Sequence, residues 1–419
     1  MSAFSTKKGL AFVAAAAAVA LTFNVALPAQ AAAPLKIGAI VPNTGALAFL
    51  AAPEIAGIQL AVDDINAAGG VNGQKVQLQF TDSGDTTTPE IAPQSATKLL
   101  AWGADTIIGA ASSGVSKLII DQITKKKVVQ ISPANTSPFF TTAKDGGYYF
   151  RTAPSDAIQG AVVANQIVKD GHANVAIIAQ QSAYGTGLAA RAAQVLKKAG
   201  ATVVSTQYFP EQATDFTSIV DTTLAAKPDA ILLVSYDEAK KAIPALQAKK
   251  FDGSKLYLVD GNLADYSKEA FASYLKGAKG TLPGTASSAA KTAFENRLKA
   301  SYSAHNKGKK LTELAYGAES YDAVVLAALA ATQGKANDGT TISKNLIAVS
   351  KTGTKVTSFA AGVKALKAGK DIDYNGFSGN IEFDAVGDPT AVTINIYQYG
   401  TDGTYKNNLL SSVDGTTVK

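Results

Sequence analysis

Between Leu35 and Asp260, short runs rich in β-branched residues alternate with longer amphipathic stretches, and this alternation restricts the fold more than any other feature of the chain. The runs Lys36 to Val41, Lys75 to Thr81, Asp105 to Gly109, Val128 to Ser132, Asn174 to Gln180, Ala201 to Tyr208, Asp229 to Ser235 and Lys255 to Asp260 predict strands. Helical windows lie between them. In Glu54 to Ala67, the residues Ile55, Ile58, Val62 and Ile65 recur at three- and four-residue steps, and Gly69 with Gly70 ends the pattern. Further windows cover Ser116 to Thr124, Asp156 to Lys169, Gly187 to Lys198, Asp215 to Ala225 and Glu238 to Lys249. Strand alternating with helix calls for parallel sheets covered on both faces. The strands form two groups of four, separated by a connection containing Pro133, Pro138, Gly146, Gly147 and Pro154, so the expected fold class is α/β with two doubly wound parallel-sheet lobes. After Asp260, the helical windows Lys291 to Ala304, Ala315 to Ala331, Ser343 to Val349 and Ser358 to Lys367 arrive without strands of their own. They must pack on a sheet built earlier, which returns the chain to the first lobe. A β-rich tail, Gly379 to Phe383 and Ala391 to Tyr399, closes the sequence.

Composition narrows the chemistry. The 419 residues include no Cys and only two His, His172 and His305. Disulfides, thiolate metal sites, Cys nucleophiles and a lipid-modified Cys are thereby removed, and a His-dependent triad or multi-His metal site lacks its residues. At the N-terminus, Lys7 and Lys8 precede an apolar run from Leu10 through Leu21, and Pro28 to Ala31 offers a small-x-small cleavage site. Residues 1–31 read as a secretory signal peptide, because the run is shorter than the roughly 20 residues a membrane span needs. Its removal takes two of six net positive charges and leaves four spread over the remaining 388 residues. That density is too low for a nucleic-acid binder.

In open parallel sheets, ligands bind beyond the carboxyl ends of the strands. In the first lobe those ends carry Ser112, Ser113 and Gly114, then Pro133, Ala134, Asn135 and Thr136. Hydroxyls and free backbone N–H groups at helix starts suit an anion such as a carboxylate. The second-lobe ends carry Tyr184 with Gly185, Tyr236 and Asp260, two rings and a carboxylate suited to an apolar body and a cation. Taken singly, Ser112, Ser113 and Thr136 read as helix caps, the tyrosines as surface aromatics, and Asp260 with Gly261 as a turn. Taken together, the complementary chemistry on the two sides points to an α-amino acid. The strand ends supply one carboxylate, Asp260, and no nucleophile–base pair, which argues against an enzyme.

Six segments in order resemble the branched-chain amino-acid type of periplasmic solute-binding protein, the leucine/isoleucine/valine-binding component of ABC importers. They are Lys36 to Gly45, Gly57 to Gly73 with its Asp-Ile-Asn-x-x-Gly-Gly, Asp105 to Gly114, Ile131 to Pro138 with its Ile-Ser-Pro-x-x-Thr-x-Pro, Tyr184 to Gly187, and Gly376 to Asp388. The resemblance implies the type I periplasmic binding protein fold, with a three-segment hinge near Thr152 to Asp156, Gly280 to Gly284 and Gly376 to Ile381. The lobes would then be 32–154 with 284–376, and 155–283 with 377–419. It also implies that Ser113, Ala134 and Thr136 hold the ligand carboxylate, that Asp260 meets the ammonium where some members carry Glu, and that Tyr184 and Tyr236 cover the ligand. Phe49 or Leu50 stands where some members place a Tyr. No cofactor or metal is implied. The expected partners are a small-molecule amino acid and an ABC permease, and the expected state is a monomer released beyond the cytoplasmic membrane without a lipid anchor. A binding protein of the same fold for an amide, urea or aromatic acid is the alternative.

Overall fold

The computed structural model describes residues 33–286 and 288–418. The signal-peptide reading, residues 1–31, lies outside them. The first sheet comprises β1 (Lys36–Val41), β2 (Gln77–Asp82), β3 (Thr106–Gly109), β4 (Val129–Ser132) and β5 (Tyr149–Arg151), all parallel in the order β2-β1-β3-β4-β5. Helices α1 (Ala51–Ala67), α2 (Ile91–Trp102) and α3 (Ser113–Thr124) connect these strands. The second lobe runs α4 (Asp156–Lys169), β6 (Asn174–Gln180), α5 (Ala183–Lys198), β7 (Thr202–Phe209), α6 (Thr217–Ala225), β8 (Ala230–Val234), α7 (Ala239–Ala248), β9 (Leu256–Leu258) and β10 (Lys279–Pro283). The chain then forms α8 (Ala289–His305), α9 (Gly317–Gly334), α10 (Gly339–Val349), β11 (Thr354–Val356), α11 (Phe359–Lys367) and β12 (Ile372–Tyr374), and ends with β13 (Thr393–Gln398) and β14 (Leu409–Asp414). Among the described residues, no helix is long and apolar enough to cross a membrane.

Strand alternation decides which helices cover each face. Ile37, Ala39 and Val41 of β1 join one core with Ile58, Val62 and Ile65 of α1 and the Val324–Ala331 stretch of α9. Ile40 points the other way, toward Leu99 of α2 and Ile119 and Ile123 of α3. Each fully buried aliphatic side chain contributes about 1.5–3 kcal/mol over exposure. The α1–α9 contact is close enough to require glycine, since a Cβ on Gly57 would stand 2.1 Å from the Gly317 carbonyl oxygen. In the second lobe, α4 and α5 cover one face of the sheet, while α6 and α7 cover the other.

The second sheet departs from the all-parallel expectation. Its order is β14-β13-β10-β9-β8-β6-β7, and β13 runs antiparallel to both β10 and β14. The tail thus returns as a hairpin on the sheet edge. The predicted strand Gly379 to Phe383 is not a strand; it makes only isolated bridges around Asn380 and Phe383. The third crossing also lies later than Gly376 to Ile381. The Asp322 carboxylate of α9 accepts from the backbone N–H groups of Phe377 (3.1 Å) and Ser378 (2.7 Å). Ile381 and Phe383 are buried in the first-lobe core, and Phe383 sits edge-on to Phe150. Residues 377–388, read from sequence as second lobe, therefore pack on the first, and the chain crosses between Asp388 and Thr393.

Candidate functional site

The crevice is lined by loops that follow strands. After β3, Ser112 caps α3, its hydroxyl accepting from Val115 N at 3.5 Å, which leaves Ser113 in the first turn with its Oγ toward the loop after β4. That Oγ accepts from Ser137 N at 3.3 Å. Asn135 braces the 134–136 loop by donating to the carbonyls of Ala110 (3.1 Å) and Ala111 (2.8 Å) and accepting from Tyr149 OH (2.8 Å). Ser113, Ala134 and Thr136 are all buried. They form a preset arc of hydroxyl and backbone groups.

The opposite wall comes from the second lobe. Tyr184, in the first turn of α5, stacks on Tyr236 beyond β8, with ring centroids 5.1 Å apart and planes 13° apart. The Tyr184 hydroxyl donates to Asp260 Oδ1 at 2.7 Å and accepts from Gly261 N at 3.1 Å. Leu50, at the start of α1, is 2% exposed and belongs to the same apolar cluster as Tyr184, Tyr236 and Ala134, with Phe49 packed against it. The lobes touch across the crevice. Ser137 Oγ donates to the Ala183 carbonyl at 2.7 Å, Gln212 of the second lobe donates to Asp85 at 2.6 Å, and Thr86 donates to Glu211.

Three crevice residues were not read from the sequence. Gln159 Nε2 donates to Asp260 Oδ1 at 2.5 Å, and Tyr316 OH donates to Oδ2 at 2.5 Å. The third is Asp156, in the first turn of α4, whose backbone N–H donates to the Thr136 carbonyl at 2.6 Å. It is fully buried, and neither carboxyl oxygen has a hydrogen bond of ordinary geometry among the described residues. Burial, and after it the negative charge of Asp260, raises the Asp156 carboxyl well above the usual carboxylate range, although the nearby Thr136 hydroxyl and the Arg151 charge draw it partway back. Asp260 is raised by burial too, while hydrogen bonds from Tyr316, Tyr184 and Gln159 pull it back. Asp156 therefore stands beside Asp260 as a second buried carboxyl, where the strand ends alone supplied one. A buried, unpartnered carboxylate is costly unless a cation or a proton answers it.

A family model described as periplasmic binding protein matches residues 34–404. The chain belongs to that family. Among relatives of this periplasmic binding protein, Leu/Ile/Val-binding protein homolog 3 of Brucella melitensis is 30% identical over 219 residues, which is 52% of this chain and 59% of the relative, so the chain spans less than two thirds of that relative's length. Two solved structures share the fold. The branched-chain amino acid transporter substrate binding protein LivJ from Streptococcus pneumoniae, in complex with isoleucine, is 24% identical with a TM-score of 0.71, over 91% of this chain and 99% of that one. A solute binding protein of an ABC transporter from Rhodopseudomonas palustris, in complex with p-hydroxybenzoic acid, is 17% identical with a TM-score of 0.73, over 91% and 98%.

Tyr316 has one further property. It stands just before α9 with φ of 62°, a left-handed backbone that a bulky side chain rarely adopts. Such outliers gather at binding sites and switch regions, where the surrounding structure holds them in place.

Proposed function

We propose that this periplasmic binding protein is the extracytoplasmic solute-binding component of an ABC importer and carries a neutral α-amino acid of the branched-chain type. One observation carries the reading: two buried carboxyls, Asp156 and Asp260, stand close enough that the charge of Asp260 raises Asp156, and Asp156 is joined through its backbone N–H to the Thr136 carbonyl in the arc of Ser113, Ala134 and Thr136. In this reading Ser113, the Ala134 backbone and Thr136 hold the ligand carboxylate. Asp260 and Asp156 share its ammonium, and Tyr184, Tyr236 and Leu50 enclose its apolar body. The lobes, 32–154 with 284–388 and 155–283 with 389–419, close about the three crossings, expelling water and strengthening the charge contacts at both ends of the ligand. The closed form, exported and free of a lipid anchor, presents one joined surface to a permease. The isoleucine and Leu/Ile/Val names of its relatives support the side-chain class. An aromatic acid without an ammonium fits less well, because it would leave two buried carboxyls unanswered.

A thermal-shift screen of the purified protein checks this. Leucine, isoleucine and valine are expected to raise the melting temperature, since a ligand selective for the folded state stabilises it by mass action. Benzoates, urea and short amides are expected to leave it unchanged. A shift with benzoate and none with any amino acid would end the amino-acid reading.

Affinity should also depend on pH. Because both carboxyls are raised, they take up a proton at a higher pH than a free carboxylate does, and where they carry one an incoming ammonium must expel it. Binding then releases protons, so affinity rises with pH and weakens as pH falls, by about tenfold per unit for each proton released. Calorimetry in two buffers of different ionisation enthalpy reads that number. A count of zero across the acidic-to-neutral range would contradict the role given to the carboxyl pair.

A further inference from the structure

β2 and β7 are the outermost strands of their sheets. The crossings lie toward the other edges, after β5 in the first sheet and at β10 and β13 in the second. The loops that follow β2 and β7, residues 83–88 and 210–213, therefore meet across the crevice on the side away from the hinge. Side-chain hydrogen bonds join them. Gln212 Nε2 donates to Asp85 Oδ2 at 2.6 Å and to Thr87 Oγ1 at 2.7 Å, and the Thr86 hydroxyl donates to Glu211. Rotation about a hinge displaces distant points most, so a small opening of the lobes breaks these bonds.

Each lobe presets its half of the contact. In the first, Asp85 is buried; its Oδ1 accepts from the backbone N–H of Thr87 at 3.0 Å and from the Thr87 hydroxyl at 2.6 Å, and its Oδ2 accepts from Ala46 N at 3.1 Å. The chain at Gly45 comes so near that a Cβ there would stand 2.6 Å from Asp85 Oδ2. In the second lobe, Gln212 is exposed and has φ of 60°, a left-handed backbone that glycine and asparagine adopt more readily than glutamine. Its backbone N–H donates to Oε1 of the buried Glu238 at 2.8 Å, which fixes the turn. The same side chain accepts from Tyr236 N at 2.9 Å through Oε2, so one residue anchors both the turn and the loop bearing a crevice ring. Ala46, at the other end, lies in the loop that leads to Leu50. The contact is thus braced against both walls of the crevice without being part of either.

We propose that loops 83–88 and 210–213 form a latch on the closed state, in which Gln212 and Asp85 are positioning residues that set how long a ligand is held. This rests on the reading above, in which the lobes close about a ligand. The latch meets no ligand atom, so it favours the closed state by the same amount whatever the crevice holds. Apparent affinity scales with the share of the protein in the binding-competent state. Losing the latch therefore weakens every ligand by one common factor. The loss falls on release rather than entry, because these bonds form only after the ligand is inside.

Calorimetric and stopped-flow titrations of the purified protein with leucine, isoleucine and valine test it. Gln212→Gly keeps the left-handed turn and the backbone donor to Glu238 while removing the bridging side chain. It should raise all three dissociation constants by the same factor, about three- to tenfold, the effect of one or two net hydrogen bonds. Dissociation should be faster and association unchanged. In an Asp85→Ala background, Gln212→Gly should add less than about twofold, because its acceptor is already gone. Wild-type dissociation rates in Gln212→Gly, or losses differing about tenfold among the three ligands, overturn the latch and leave the amino-acid reading standing. If no amino acid binds the wild-type protein, that reading fails, and the unliganded lobes decide the latch. The chain has no Cys, so Lys126→Cys and Lys198→Cys, exposed positions on the first and second lobes, place one spectroscopic label on each. Label distances longer in Gln212→Gly than in the otherwise wild-type chain support the latch; equal distances overturn it.

Discussion

Replacing Asp260 by alanine is expected to raise the dissociation constant for the amino acid by about 30-fold to several thousand-fold, or beyond detection in a calorimetric titration. Removing one partner of a buried, hydrogen-bonded charge pair costs about 2–5 kcal/mol, and each 1.4 kcal/mol is tenfold in affinity. Two losses combine. The ligand ammonium keeps only Asp156, and the donors now spent on Asp260, from Gln159, Tyr184 and Tyr316, are left without their acceptor. Asp260→Asn separates these effects, because the amide oxygen still accepts while the charge is gone. If charge is what binds, Asn should lose most of what Ala loses, with a melting temperature closer to the wild type. Unchanged affinity in Asp260→Ala would remove the ammonium from the site and with it the amino-acid reading.

The same carboxyls show which parts of this site could be read from sequence. Asp260, Tyr184, Tyr236, Ser113 and Thr136 follow strands whose apolar runs are long enough to recognise, so the rule that ligands sit beyond strand carboxyl ends led to them. Asp156 lies five residues beyond the end of β5, past a segment read as a crossing between the lobes, rather than directly at a strand's carboxyl end. It also occupies the first turn of a helix, where an acid ordinarily reads as a partner of the helix dipole at the surface. What could have marked it was its neighbours, the apolar Ala153 and Pro154 before it and Ala157 and Ile158 after it, an unusual setting for a solvated acid. Tyr316 stands just before a helix from the late, strandless part of the chain, and only the packing of that helix against α1 brings it beside the crevice. The antiparallel hairpin at the sheet edge was hidden for a related reason. Strand direction depends on the path of the chain between strands, and alternation of residue types carries no record of it.

Arg151→Met is expected to lower stability by about 3–5 kcal/mol, the cost of breaking a buried ion pair by removing one partner, or roughly 10 °C in melting temperature for lobes of this size. The arginine is fully buried and forks onto Asp388, Nε to Oδ1 at 2.6 Å and a terminal nitrogen to Oδ2 at 2.7 Å. The methionine would fill much of the space but leave the Asp388 charge unanswered. Adding Asp388→Asn should therefore recover part of the loss, so that the double variant is more stable than the two single losses summed. The same arginine also donates to the carbonyls of Asn135 (3.3 Å) and Ser137 (2.8 Å), on either side of Thr136. One side chain thus ties the segment leading into the third crossing to the loop proposed to meet the ligand carboxylate. Because that link bears on position as well as stability, Arg151→Met should weaken ligand binding even at temperatures where the variant is fully folded. Asp388→Asn alone, which keeps the arginine's contacts to the loop, should weaken it less. Equal affinities for wild type and Arg151→Met at low temperature would confine the arginine to a structural role, and an unchanged melting temperature would show that the pair contributes nothing to the fold.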